Sequence, residues 1–375
     1  MPRPAAVANM LNHIITGFVI LFLILGGIDC AFFNNRWGFG EGFRRGLDAA
    51  GSLLLCMTGF IVLAPLLANL LSPVISPLFE AVGADPSAFA GLFFANDSGG
   101  AALAMQLARD PDMGRFNGLI TGSMLGTAIV YIIPLSILYT RPEHRDSVVY
   151  GLLAGIITIP VGCIAGGAAA GFPMKAIFLN TLPAIVIAVI LALMLLFCRS
   201  FIVKALSLFG KAILGLSILG LVVSATQRLS GIELIHGLVD LNEVFSIVGG
   251  ICLFLAGIFP FISFLQKLLA KPFRSLGNKL GVNETSVSGF FLALANGIPV
   301  CHSLPDMNDR GRMLNTAFLV SVSCVFGDHL AYTTQVDPSM NNALIIGKLA
   351  GGFAGLLLAM LLAPRLLPEK KAEVI

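Results

Sequence analysis

Apolar residues along the chain gather in eleven long runs separated by short polar stretches. The runs lie near 12–33, 47–72, 87–109, 116–138, 148–171, 176–198, 201–226, 244–266, 285–305, 314–334 and 342–363. Stretches such as IVIAVILALMLLFC at 185–198 and GLLLAMLLAP at 355–364 belong to segments of hydrocarbon-crossing length, which takes about 20 residues of helix. The pattern predicts an all-α polytopic membrane protein. Composition agrees: the 375 residues are 57% hydrophobic and 11% charged, with a mean hydropathy of +0.92, where a soluble domain carries about 25% charged residues. NNRWGFGEGF, not a small-residue cleavage site, follows the first run, so that run reads as a retained helix and not as a signal peptide. The seven Cys lie in or beside apolar runs and form no CxxC pair; they read as buried thiols, with neither a disulfide framework nor a metal site.

The two ends of the chain resemble each other. Pro65 and Pro77 are spaced like Pro260 and Pro272; GADPSAFAGLFFA at 83–95 aligns with GVNETSVSGFFLA at 281–293 without a gap. GRFN at 114–117 matches GRMLN at 311–315, and GLLAG at 151–155 matches GKLAG at 347–351, the offset staying between 195 and 198. Apolar sequences resemble one another by chance, but Pro and Gly at matched spacing do so less readily. A duplication covering about 45–165 and 240–360 is therefore expected. The organisation it implies is a first repeat over 1–172, a linker helix over 173–199, a second repeat over 200–364 and a cytoplasmic tail over 365–375. Internal repeats, often inverted, mark secondary transporters.

Loop charges test the orientation. If all eleven runs cross, Lys and Arg divide 12 against 11 between the two sides and the repeats are parallel. If the third and ninth runs are re-entrant, the division becomes 17 against 6, with Arg36, Arg44, Arg45, Arg141, Arg145, Lys267 and Arg312 on the rich side. Cytoplasmic loops are Lys/Arg-rich, so one assumption restores the rule and also inverts the repeats. The expectation is an inverted-repeat secondary transporter with about 9–11 transmembrane segments, two of them broken or re-entrant.

The polar residues inside these runs carry the candidate chemistry. ANDSGG at 95–100 interrupts the third run, and ALANGIP at 293–299 interrupts the ninth at the matching place. A helix break frees backbone groups that must be buried in protein or line a cavity, and paired breaks in two halves point to a transport site. Asp97 is the sharpest signal, because a carboxylate at mid-membrane costs a few kcal/mol. Its structural reading is a cap on the break; its functional reading is a counter-charge for a cationic substrate. Asn96, Ser98, Gly99 and Asn296 belong to the same two breaks. Gly327, Asp328 and His329 add a second intramembrane carboxylate beside a side chain that titrates near neutrality; they read equally as an interfacial cap. Thr127, Ser321 and Ser323 serve as lining groups or as helix-packing groups. Phe93 and Phe94 offer a cation–π face or simple packing.

Other features point away from function. Asp29 and the RWGFGEGFRRG loop at 36–46 read as interfacial, and His302 with Asp306 offers too few ligands for a metal. GCIAGGAAAG at 162–171 reads as close helix packing and not as a phosphate loop, since no Lys-Ser/Thr follows it. Lys348, at the edge of the eleventh run, is the exception to a lack of intramembrane cations near the breaks, a lack that argues against an anionic substrate.

Taken in order, GADPSAFAGLFFANDSGG, AGIITIPVGCIAGG, ANGIP, GRMLNTAF and FGDHL resemble the ethanolamine permease family of ethanolamine-utilisation operons, over essentially the whole chain. The family's Asp-x-Gly-Gly falls on Asp97, Gly99 and Gly100, and its Gly-Asp-His on Gly327, Asp328 and His329. Asn96, where typical members have Cys, and a shorter loop around 230–243 depart from it. The resemblance implies a multi-pass protein of the bacterial inner membrane that takes up ethanolamine, or its protonated form, for a cobalamin-dependent lyase pathway. No cofactor and no nucleic acid are expected; the partners are a small amine and membrane lipid. Coupling to H+ or Na+, the exact amine and the oligomeric state stay open. The alternatives are a transporter of another small polar solute, such as a carboxylate or nucleobase, and an intramembrane aspartyl protease using Asp97 and Asp328. The protease family's Gly-x-Gly-Asp is absent, since Val325, Phe326 and Gly327 precede Asp328.

Overall fold

Every apolar run forms helix. In chain order the computed structural model, which describes residues 4–367, contains α1 (Pro4–Phe32), α2 (Gly40–Glu80), α3 (Ala88–Phe93), α4 (Ala101–Leu107), α5 (Pro111–Tyr139), α6 (Arg145–Ala169), α7 (Met174–Phe197), α8 (Arg199–Ser230) and α9 (Leu241–Leu280). α10 (Glu284–Ala295), α11 (Gly297–Ser303), α12 (Asp309–Val322), α13 (Asp328–Val336) and α14 (Asn341–Leu366) complete it. There is no strand among the described residues, and eight helices are long and apolar enough to cross a membrane. Most of the tail expected over 365–375 lies outside the described residues.

The third run breaks where its sequence carries ANDSGG. α3 ends in extended backbone at Phe94 and Ala95, and α4 resumes after a turn in which Gly99 has φ +91°. The two arms then leave on the side they entered. Asp85, just before α3, accepts the backbone N–H groups of Arg109 (3.0 Å) and Asp110 (2.9 Å), just after α4. Its other oxygen accepts from Ser87 N–H at 2.9 Å and so caps the entering arm. The ninth run repeats this plan: Asn283 Nδ2 donates to Asp306 O at 2.8 Å, Asn308 Nδ2 donates to Gly281 O at 2.9 Å, and Asn283 Oδ1 accepts from Ser286 N–H. Both runs are hairpins whose ends are clasped by Asx side chains, and the clasping residues Asp85 and Asn283 occupy aligned positions of the two halves.

Loop contacts sort the ends of the helices into two faces. On the first, Lys267 donates to Trp37 O, Arg199 pairs with Asp146, and Arg312 reaches Ser147 and Asp309. The α10–α11 hairpin starts and ends there. On the second, Asp85 accepts from neighbours of the α3–α4 hairpin and Asn180 Oδ1 accepts from Asp85 N–H, while Arg115 pairs with Asp337 at 2.6 Å. The two hairpins therefore enter from opposite faces. The tenth run also crosses, since Arg312 lies on the first face and Asp337 on the second. It too is interrupted, at 323–327, where Cys324 has φ +60°. There Cys324 N–H donates to Ala293 O (3.0 Å) and Phe326 N–H to Leu294 O (2.8 Å), so the break in one run is satisfied by the break in its neighbour. In hydrocarbon, such freed backbone groups have to find partners within the protein.

Glycine lets the remaining helices close around the tips. A Cβ at Gly126 of α5 would collide with Phe94 O, so the first hairpin tip lies directly on the α5 backbone. Much of α5 is wound as π-helix, over Phe116–Gly126 and Ala128–Ile132, and α2 has a π turn at Leu54–Thr58; such turns commonly mark functional positions. Gly162 and Gly166 of α6 face Gly347 of α14, and Gly162 also faces Gly351, close enough that a Cβ would meet backbone. This makes the small-residue run a helix–helix seam. Asp29, near the end of α1, is fully buried and accepts from the N–H groups of Trp37, Phe39 and Gly40 at 2.9–3.0 Å, which fixes the α1–α2 turn.

Candidate functional site

Both hairpin tips line a chamber of about 640 Å³. Its mouth lies among Arg45 and Asp48 of α2 and Gln266 of α9, on the first face. Its walls carry Cys56, Ser263 and the second tip, Ala295 to Pro299. Its deep end is polar: Asp97 and Ser98 from the first tip, Thr127 and Tyr131 from α5, and Asp328 and His329 from the start of α13.

Several sequence-predicted residues are thus brought together. Asp97 has a side chain 14% exposed; it accepts a hydrogen bond from Ser98 Oγ at 3.3 Å, and Ser98 Oγ lies 2.9 Å from Tyr131 Oη. His329 Nε2 is 4.0 Å from Asp97 Oδ1 and 3.4 Å from Thr127 Oγ1. Asn296 caps α11 by accepting from Ile298 N–H at 2.9 Å, and its residue also lines the chamber. Asp328 opens α13, where its charge is suited to a helix N-terminus, and it faces the same space.

Others are placed differently. Asn96 is fully buried beside the chamber rather than on its wall, and both atoms of its side-chain amide lack a hydrogen-bond partner among the described residues. Gly99 is structural: its φ suits glycine, and a Cβ there would strike the Phe60 ring. Ser323 lines the chamber, whereas Ser321 is buried away from it. Phe93 and Phe94 do not face the chamber. Phe94 packs on Phe60 (5.1 Å between ring centroids), Phe209 (5.7 Å) and Phe89 (6.0 Å), and Phe89 packs on Phe93. This aromatic cluster surrounds the arm of the first hairpin that descends from the second face. His302 lies against the Tyr139 ring.

Sequence reasoning placed Lys348 at the margin; it lies two turns inside α14 and is fully buried. Its Nζ lies 2.9 Å from His329 Nδ1 and donates to Ser123 O. An ionisable residue inside a membrane run is a functional signal, and that signal was available in the sequence. Tyr131 offered no such signal, because a Tyr within an apolar run reads as packing.

A polytopic helical protein with paired broken hairpins, and polar side chains gathered in a chamber that both hairpins line, has features that secondary transporters share. The chain belongs to the family described as "Ethanolamine utilisation protein, EutH", which matches residues 11–362. It is similar to the "Probable ethanolamine permease EutH" of Listeria monocytogenes, at 42% identity over 97% of both chains. It is also similar to the protein of the same name from Escherichia coli, at 35% identity over 95% of this chain and 96% of the other. The uncharacterized protein YxeR of Bacillus subtilis is 38% identical over 94% of this chain and 95% of its own. No solved structure matches the chain.

Proposed function

We propose that this protein carries protonated ethanolamine across the bacterial inner membrane. The observation that carries the reading is the pair of carboxylates, Asp97 and Asp328, facing the deep end of one chamber that both hairpin tips line. An aliphatic amine with a pKa near about 10 is almost wholly a cation at neutral pH, and that cation crosses hydrocarbon poorly. A chamber that ends on carboxylates offers it a counter-charge. Ser98, Thr127, Tyr131 and Asn296 supply the donors and acceptors that a hydroxyl needs.

Two relatives bear the name of an ethanolamine permease, which supports the same substrate. The Lys/Arg-rich first face is the cytoplasmic one by the charge rule, so the chamber faces inward. Alternating access then moves the hairpin tips and the aromatic cluster around Phe94 to open the second face. We propose that the two halves, 1–172 and 200–364, are inverted repeats joined by a linker over 173–199; the matched clasps at Asp85 and Asn283 support this. The exposed Leu, Ile and Phe of α7 and α8 form the lipid-facing surface. A carboxylate substrate fits poorly, since among the described residues two carboxylates and no Lys or Arg line the deep half of the chamber. A protease reading lacks the Gly-x-Gly-Asp signature.

The test is uptake of labelled ethanolamine into cells without other uptake routes, at mildly acidic external pH, comparing the wild type with Asp97→Asn at matched expression. Saturable uptake that is lost in the variant is expected. Absence of saturable uptake by the wild type would overturn the reading.

A further inference from the structure

The transport reading uses both carboxylates but leaves Lys348 without a role. This cation is fully buried, and it lies behind His329 rather than on the chamber wall. Its Nζ lies 2.9 Å from Nδ1 of His329, and an ammonium there can only donate. An imidazole that accepts at Nδ1 keeps its own proton on Nε2 and is neutral, and Nε2 faces Asp97 Oδ1. Lys348 is thus linked through one neutral ring to the site. The other titratable groups facing this region from neighbouring elements are Tyr131 of α5, Cys56 of α2, Cys324 before α13 and Tyr332 of α13. None of these carries a charge at neutral pH in its ordinary form. At the mouth, Arg45 and Asp48 offset one another.

The formal charge at the deep end follows: two carboxylates against one ammonium leave minus one. A bound monovalent ammonium brings it to zero, and a neutral core is what low-dielectric surroundings favour, because uncompensated charge there is costly. A dication would leave plus one.

We propose that Lys348, acting through His329, sets the net charge of the binding site and thereby selects monovalent over divalent ammonium substrates. The inference rests on the transport reading above. Lys348 is on this account a specificity residue that does not touch the substrate. Removing its charge leaves minus two, which suits a small diamine; removing one carboxylate as well restores minus one.

The experiment is competition against labelled ethanolamine uptake by unlabelled ethanolamine and by 1,3-diaminopropane at pH 6, where both diamine nitrogens are protonated. It compares the wild type, Lys348→Met, Lys348→Arg and the double variant Asp328→Asn/Lys348→Met, each at matched membrane expression. The wild type and Lys348→Arg are expected to prefer the monoamine. Lys348→Met is expected to shift the ratio of the two inhibition constants toward the diamine by about tenfold or more, the scale of one unit charge acting across a partly screened interior. The double variant is expected to return toward the wild-type ratio. If Lys348→Met transports with an unchanged ratio, the charge-setting role is wrong while the transport reading stands. If Lys348→Met and the charge-conserving Lys348→Arg are both inactive, Lys348 is structural and the proposal falls. If the wild type shows no saturable uptake, the transport reading itself fails.

Discussion

Asp85 Oδ2 accepts the backbone N–H of Asp110 at 2.9 Å although 25 residues separate them. The segment between them therefore turns back on itself and cannot span the membrane. The corresponding link from Asn283 to Asp306 closes the second hairpin. Single cysteines at 85 and 112 should therefore react with an impermeant thiol reagent from one side of the membrane, and cysteines at 283 and 308 from the other, in an otherwise cysteine-free protein. Labelling of 85 and 112 from opposite sides would mean that the third run crosses.

The chamber's lining by Arg45, Asp48 and Gln266 toward the first face makes a second, directional prediction. Cys56 and Cys324 line it, whereas Cys163 is fully buried elsewhere, in the core beside Thr121. In inside-out vesicles a small charged thiol reagent should label Cys56 faster than in right-side-out vesicles, and saturating ethanolamine should slow the reaction. Cys163 should stay unlabelled in both. Equal labelling of Cys56 from both sides, without protection, would place the chamber's mouth elsewhere.

The tip of the first hairpin depends on Gly99. Its φ of +91° disfavours any side chain, and an added Cβ would run into the Phe60 ring. Left-handed backbone costs an L-residue about 1–2 kcal/mol, and overpacking adds typically about 1–3 kcal/mol. Gly99→Ala should therefore lower thermal stability in detergent by roughly 2–5 kcal/mol and reduce uptake, because it moves Asp97 and Ser98. Gly171 also has positive φ, but open space surrounds its Cβ position. Gly171→Ala, the control, should incur only the backbone cost and keep uptake.

The seam between α6 and α14 gives a packing counterpart. Gly162 faces the Gly347 carbonyl and the Gly351 backbone. Gly162→Leu has no space to occupy, so it should separate the helices, destabilise the protein by at least about 1–3 kcal/mol, and lower its yield from membranes. The same change at Gly215, which has nothing within 4 Å of its Cβ position, should be tolerated.

Much of this architecture was legible in the sequence, because the bilayer forces helices to be long and apolar and makes each polar interruption costly. The eleven runs, both hairpins and Asp97, Asp328 and His329 as intramembrane polar groups all follow from that one constraint. What was hidden depends on tertiary placement. Asn96 and Asp97 are adjacent, yet one is walled in and the other faces the chamber, since a one-residue step turns a side chain about a third of the way around the backbone. The break in the tenth run was not foreseen because Ser323 to Gly327 contains no Pro, and its freed N–H groups are satisfied by carbonyls from a run thirty residues earlier. Lys348 was misplaced for the same reason: only the fold shows that α14 carries it to His329.

The last prediction concerns pH. For an amine with a pKa near about 10, the neutral form is about 1% of the total at pH 8 and about 0.01% at pH 6. Passive entry depends on the neutral form, so it should fall about a hundredfold over that range. A carrier that binds the cation at Asp97 and Asp328 sees almost the same concentration of substrate at both values. The ratio of carrier-dependent to carrier-independent uptake, measured at low external ethanolamine in cells with and without the protein, should therefore rise by about two orders of magnitude from pH 8 to pH 6. If carrier-dependent uptake falls in parallel with the passive rate, the protein carries the neutral amine and its two carboxylates serve another purpose. If it climbs steeply with acid at fixed cation concentration, and collapses when the pH gradient is dissipated, uptake is coupled to an entering proton.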